Sequence, residues 1–121
     1  MMHPADATEV MSVEQLAYSP GWPATAFERE LTQNGMARYI VLRDAGTGRI
    51  DGFAGLWLMA DEAHVVTVAV LPESRRKGFG RILVAGLMAV AIEHGMTMAT
   101  LEVRVSNEAA RGMYRSFGFY E

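Results

Sequence analysis

The chain has 121 residues, half of them hydrophobic and about a fifth charged, with a formal net charge of −3 and no cysteine. That length holds one domain with a real core but not two, and the lack of cysteine removes disulfides, thiolate metal sites and a cysteine nucleophile. A pI near 5.6 argues against a general nucleic-acid or membrane-surface role; no apolar run reaches the length of a membrane span and the N-terminus lacks a signal-peptide pattern, so a soluble cytoplasmic domain is expected.

Asp6 followed by Glu9 has the spacing of a capping box, and Val10, Val13 and Leu16 keep helical period to about Tyr18. SPGWP (19–23) interrupts the pattern. Pro23 suits the first position of a second helix, with Phe27 and Leu31 on one face and Asn34-Gly35 ending it. ARYIVLR (37–43) and RIDGFAGLWLM (49–59) are β-rich runs joined by the turn-forming DAGTG, which predicts a hairpin. HVVTVAVL (64–71) is almost continuously apolar and suits a central strand buried on both faces.

Residues 79–94 predict a strong helix, with Phe79, Ile82, Leu83, Gly86, Leu87 and Val90 as its core stripe and Gly95 as its end. TLEVRVS (100–106) alternates as a strand, with Leu101, Val103 and Val105 on one face and Glu102 and Arg104 on the other. Ser106 or Asn107 caps a last helix that stops at Gly118. The order is ααββ followed by βαβα, a mixed α+β fold whose strand–helix–strand portion should be a right-handed parallel crossover. No repeat, low-complexity segment or linker interrupts it.

ESRRKGFGRIL (73–83) gathers Arg75, Arg76, Lys77 and Arg81 around a G-x-G step, where the central strand ends and a helix begins. A helix N-terminus offers unpaired N–H donors and about half a positive charge. Gly78 and Gly80 let the backbone approach a bulky ligand and adopt angles that other residues resist. The cations then suit a pyrophosphate, against the plainer alternative of a solvated basic helix start. The P-loop spelling is absent, and the dinucleotide fingerprint lacks its third glycine because position 83 is leucine.

VTVAVLPESRRKGFGRIL (66–83) resembles the acyl-CoA-binding motif of the GNAT acetyltransferases, whose R/Q-x-x-G-x-G/A is matched by Arg75, Gly78 and Gly80. TLEVRVSNEAARGMYRSFGFYE (100–121) resembles the second signature of one branch, the ribosomal-protein-alanine N-acetyltransferase (RimI) type. SPGWPATAF (19–27) is similar to the proline–tryptophan segment before that family's second helix. The resemblance implies a central, mostly antiparallel sheet with a parallel β-α-β crossover. Members of the branch carry one more strand before the segment matching HPADATEV and two more after GFYE. Residues 1–121 are therefore expected to form one GNAT domain short of the first strand and the last two, whose open edge would pair with a second copy as a homodimer.

The resemblance also implies roles. Acetyl-CoA is the cosubstrate: its pantetheine arm pairs with Val68, Ala69 and Val70, and its pyrophosphate lies on Arg76, Lys77, Gly78, Phe79, Gly80 and Arg81. Asn107 matches a position that contacts the coenzyme, although by itself it reads as a helix cap. Glu102 matches the general base and Tyr114 the proton donor to the departing thiolate. The plainer alternatives are a solvated carboxylate beside Arg104 and a core tyrosine on the face of Ala110 and Phe117. His64 could help accept a proton but ranks behind Glu102, since a histidine at a strand end is more often incidental, and Trp22 either lines the peptide groove or packs on the core.

No metal-ligand spacing appears among the three histidines, and the methionines read as core filler. Without cysteine, direct attack in a ternary complex is expected rather than an acyl-enzyme. The implied function is acetyl transfer to a protein N-terminal α-amine, of the ribosomal-protein alanine type. Acetylation of a small-molecule or lysine amine, and a non-catalytic acyl-CoA-binding module, stand as alternatives. No nucleic acid, membrane or metal partner is expected.

Overall fold

The computed structural model describes residue 2 and residues 6–17, 24–75, 77–102 and 108–120. Helices α1 (Ala7–Ala17) and α2 (Ala24–Gln33) precede strands β1 (Ala37–Arg43), β2 (Ile50–Met59) and β3 (Glu62–Val70). Helix α3 (Phe79–Glu93), strand β4 (Met98–Leu101) and helix α4 (Glu108–Ser116) complete the order. The sheet runs β1-β2-β3-β4, antiparallel except for the β3–β4 pair. This is the predicted mixed architecture, with α3 as the crossover. Among the described residues no helix is long and apolar enough to cross a membrane.

The DAGTG turn closes because Asp44 Oδ1 accepts the backbone N–H groups of Gly46 (2.8 Å) and Thr47 (2.9 Å), while Gly48 takes φ +75°, a conformation glycine adopts freely. Those two bonds hold the Asp44 carboxyl below the usual carboxylate pKa. Glu9 does not serve as the back-reaching half of a capping box. Its Oε2 accepts the N–H of Ile50 at 2.7 Å, and Asp6 Oδ1 accepts from Arg43 Nη2 at 2.7 Å, so both carboxylates tie α1 to the hairpin.

Two apolar layers cover the sheet. Val10, Val13 and Phe27 pack on one face with Tyr39, Phe53 and Ala69; Leu83, Leu87 and Ala91 pack on the other with Ala54, Leu56, Ala63 and Val65. Ile82 lies outside the α3 stripe, 53% exposed, and the buried line is Leu83, Val84, Leu87, Val90 and Ala91. The reason is a rotation of the helix that brings Gly86 beside Ile40, so close that a Cβ there would lie 2.7 Å from Ile40 Cδ1.

The central strand is not buried evenly on both faces; it alternates half-buried and buried residues. Its register against β2 skips Val66, since Gly55 opposes Thr67 and Leu56 opposes Val65. Such a bulge reverses which side odd-numbered residues face. Ala63 and Val65 therefore join the α3 layer, whereas Ala69 joins the α1–α2 layer.

Candidate active site

The cationic turn is held from beneath by β2. Leu71 N–H donates to Asp51 O (2.8 Å), and the buried Ser74 hydroxyl donates to Asp51 Oδ1 (3.1 Å). Asp51 Oδ1 also accepts from Arg49 Nε (3.0 Å) and Nη2 (2.7 Å), and this carboxylate raises the Arg49 guanidinium pKa further. A short 3₁₀ turn, Pro72–Ser74, is thereby fixed before the glycines.

Gly78 is the N-cap of α3 with φ +78°, and a Cβ there would meet nothing within 4 Å. The backbone thus presents an open concavity at a helix start, flanked by exposed Lys77; this suits a bulky anion. Gly80 has a different reason to be glycine. It has no positive φ, and its missing Cβ makes room for Met113 on α4, whose Sδ would lie 3.3 Å away. Arg81 Nη1 donates to Ser116 Oγ on the same helix (2.7 Å), and Arg75 Nε donates to Val70 O (3.3 Å). Helix α4 is therefore docked onto the first turn of α3.

Tyr114 follows Met113 on that helix and, with Glu102, lines one cleft of about 830 Å³ between β4, α3 and the end of the chain. The Tyr114 ring packs edge-on to Phe119, with centroids 5.8 Å apart, so its ring is seated while it lines the cleft. Val68, Ala69 and Val70 occupy the last part of β3, running toward the glycine turn. Arg76, Asn107 and Trp22 lie outside the described residues, as do Val103, Arg104 and Val105.

His64 is not at a strand end. It is the third residue of β3 and stands between Trp57 of β2 and Thr100 of β4. Asp51, Ser74, Glu30, Glu62 and Thr100 were not foreseen as part of the site's framework. Of these, Thr100 is the one that strand register sets opposite a foreseen residue, His64.

An α+β domain with a parallel crossover, and an open glycine turn where the crossover helix begins, has the make-up of an acyl-transferring enzyme. The chain belongs to the acetyltransferase (GNAT) family, whose model matches residues 7–119. It is 33% identical over 116 residues to the ribosomal protein bS18-alanine N-acetyltransferase of Escherichia coli, covering 96% of this chain and 76% of that protein. The crystal structure of the Escherichia coli ribosomal-protein-S18-alanine N-acetyltransferase superposes with a TM-score of 0.89 at 31% identity, over 99% of this chain and 75% of that one. An aminoglycoside N-acetyltransferase in complex with CoA shares the fold, with a TM-score of 0.83 at 17% identity over 99% of this chain and 85% of that one.

Proposed function

We propose that this acetyltransferase moves an acetyl group from acetyl-CoA to the N-terminal α-amine of a protein, with a ribosomal protein beginning in alanine as acceptor. The observation that carries this is the 33% identity, along nearly the whole chain, to the Escherichia coli enzyme named for that reaction. The open backbone at Gly78 supports the coenzyme half of the reading, because it offers a pyrophosphate both N–H donors and space.

In this reading the N–H donors at the start of α3 and the Lys77 ammonium hold the pyrophosphate, with Arg76 as a further cation. Val68, Ala69 and Val70 align the pantetheine arm. Asn107 is assigned a coenzyme contact. Glu102 accepts the proton that the amine sheds as its nitrogen attacks the thioester carbonyl. Tyr114 gives a proton to the sulfur as the C–S bond breaks. Direct attack within a ternary complex needs no covalent enzyme intermediate, so most of the rate comes from holding amine and thioester together.

The test is turnover of acetyl-CoA on short peptides that differ at the first residue. Ala-starting peptides should be preferred, and Glu102→Gln and Tyr114→Phe should each lower kcat by roughly 10²–10⁴-fold, the usual worth of general acid–base catalysis. Equal turnover of lysine side chains or small amines would sink the assignment of the acceptor; unchanged rates in both variants would sink the assignment of the residues.

A further inference from the structure

Helix α4 carries the proton donor assigned above, yet it owes little of its place to core packing. It is nine residues long, too short to be stable alone, and none of its described residues is buried. The apolar burial that fixes α1, α2 and α3 is missing here, so specific contacts must set where α4 lies.

Two of those contacts come from the first turn of α3. Met113 fits over Gly80, where a Cβ would stand 3.3 Å from its sulfur. Arg81 Nη1 donates to Ser116 Oγ at 2.7 Å. Ser116 in turn donates its single hydroxyl proton to Met113 O, 2.5 Å away in its own helix, and its oxygen is thereby left to accept from the guanidinium. The last turn of a helix carries unpaired carbonyls and a partial negative charge, so a guanidinium is well placed there. Guanidinium, hydroxyl and carbonyl form one chain from α3 to the end of α4.

Met113 and Ser116 are three residues apart and share a helix face. Tyr114 lies between them in sequence, turned by about 100° from Met113, and lines the cleft with Glu102. Holding the Met113–Ser116 face on α3 sets the rotation of α4 about its axis and its height along α3. Both determine where the Tyr114 hydroxyl stands. Phe119 steadies the Tyr114 ring edge-on and donates its N–H to Tyr114 O at 3.2 Å. It belongs to the same terminal segment, however, and moves with α4 rather than locating it.

The resemblance implied a place for Arg81 on the pyrophosphate, but its guanidinium is turned to α4. The first turn of α3 then serves twice: its backbone faces the coenzyme, and its arginine side chain holds the donor helix. We propose that Arg81 is a positioning residue for acetyl transfer, acting through Ser116 to fix α4 so that Tyr114 meets the departing thiolate, and that it is not a grip on the coenzyme. The inference rests on the role assigned to Tyr114 above.

The experiment is steady-state kinetics on an Ala-starting peptide, with acetyl-CoA calorimetry, for Arg81→Met, Ser116→Ala, Ser116→Thr, Tyr114→Phe and the double variant Arg81→Met/Tyr114→Phe. Misplacing a reacting group by about 1 Å costs on the order of 10²-fold, so Arg81→Met and Ser116→Ala should each lower kcat by roughly 10–100-fold. Ser116→Thr keeps a hydroxyl able to bond the preceding turn and should retain most of the wild-type kcat. Acetyl-CoA affinity should not change in any of the Arg81 and Ser116 variants. Both side chains are exposed, so Tm should hardly move. In the Tyr114→Phe background, removing Arg81 should lower kcat no further, because the group it positions is already gone.

Weakened acetyl-CoA affinity in Arg81→Met beside a normal Ser116→Ala makes Arg81 a coenzyme ligand and overturns the proposal. A kcat loss that persists in full in the Tyr114→Phe background overturns it as well, while leaving Tyr114 as the donor. Tyr114→Phe as fast as wild type overturns the donor assignment itself, and the role of Arg81 with it.

Discussion

Ser74 and Asp51 meet at 3.1 Å in the buried junction between β2 and the turn that leads into α3. One carboxylate on a sheet strand thus holds the glycine turn at a fixed height above the sheet edge. Asp51→Ala leaves the Ser74 hydroxyl buried without its acceptor, a loss of about 1–3 kcal/mol. Tm should fall by roughly 5–15 °C, and acetyl-CoA affinity should weaken with it. Differential scanning fluorimetry, with and without coenzyme, checks both; a variant that is destabilised yet binds coenzyme normally would separate the turn from this anchor.

Two glycines make a controlled comparison. A Cβ at Gly52 would lie 2.7 Å from the backbone oxygen of Ala69, whereas one at Gly86 would lie 2.7 Å from the terminal methyl of Ile40. A strand backbone inside a paired sheet cannot step aside; a side-chain end can rotate. Gly52→Ala should therefore cost the full overpacking range of about 1–3 kcal/mol, and Gly86→Ala distinctly less. Urea titration of the two variants decides the order.

Glu30 is 6% exposed and accepts from Tyr39 Oη (2.7 Å), Trp57 Nε1 (2.6 Å) and Asn34 Nδ2 (2.8 Å). It joins α2 to β1 and β2. Glu30→Ala strands a buried phenol and an indole N–H, and should cost about 2–5 kcal/mol, whereas Glu30→Gln keeps acceptor and volume and should cost less. Chemical denaturation followed by tryptophan fluorescence measures both, and the Trp57 emission in the native state should change in each.

Asp44 makes a pH-dependent prediction. Its folded pKa lies below the unfolded one because it accepts two backbone N–H bonds. Its stabilising contribution is therefore complete above about pH 4 and disappears as the pH falls through the folded value. Asp44→Ala should be less stable than wild type at pH 7, and the difference should shrink as the pH falls below about 4 toward and through the folded value. Asp44→Asn, which still offers an oxygen to Gly46 and Thr47, should recover most of the difference at pH 7.

Much of this organisation is carried by local chemistry and could be read along the chain. The hairpin follows from DAGTG, whose aspartate and glycine form their turn with neighbours two and three residues away. The glycine turn follows from Gly78 alone, since only a residue tolerant of positive φ caps α3 in that way. The split of the core stripe on α3 was less legible: Ile82 and Leu83 are equally apolar, and only the close approach of Gly86 to Ile40 sets which of them turns inward.

The sequence by itself determined the element order, the parallel crossover and the family, because caps, turns and hydrophobic period act over a few residues and the two motifs are contiguous strings. Tertiary structure alone decided which side chains became partners. Glu62 and Thr100 are 38 residues apart, and Asp51 and Ser74 are 23 apart. Their meeting depends on strand register and on the skipped residue Val66, which reverses the faces of β3. Register is set by the summed packing of both layers rather than by any local segment, and it is register that turns an ordinary histidine, threonine and glutamate into one hydrogen-bonded row.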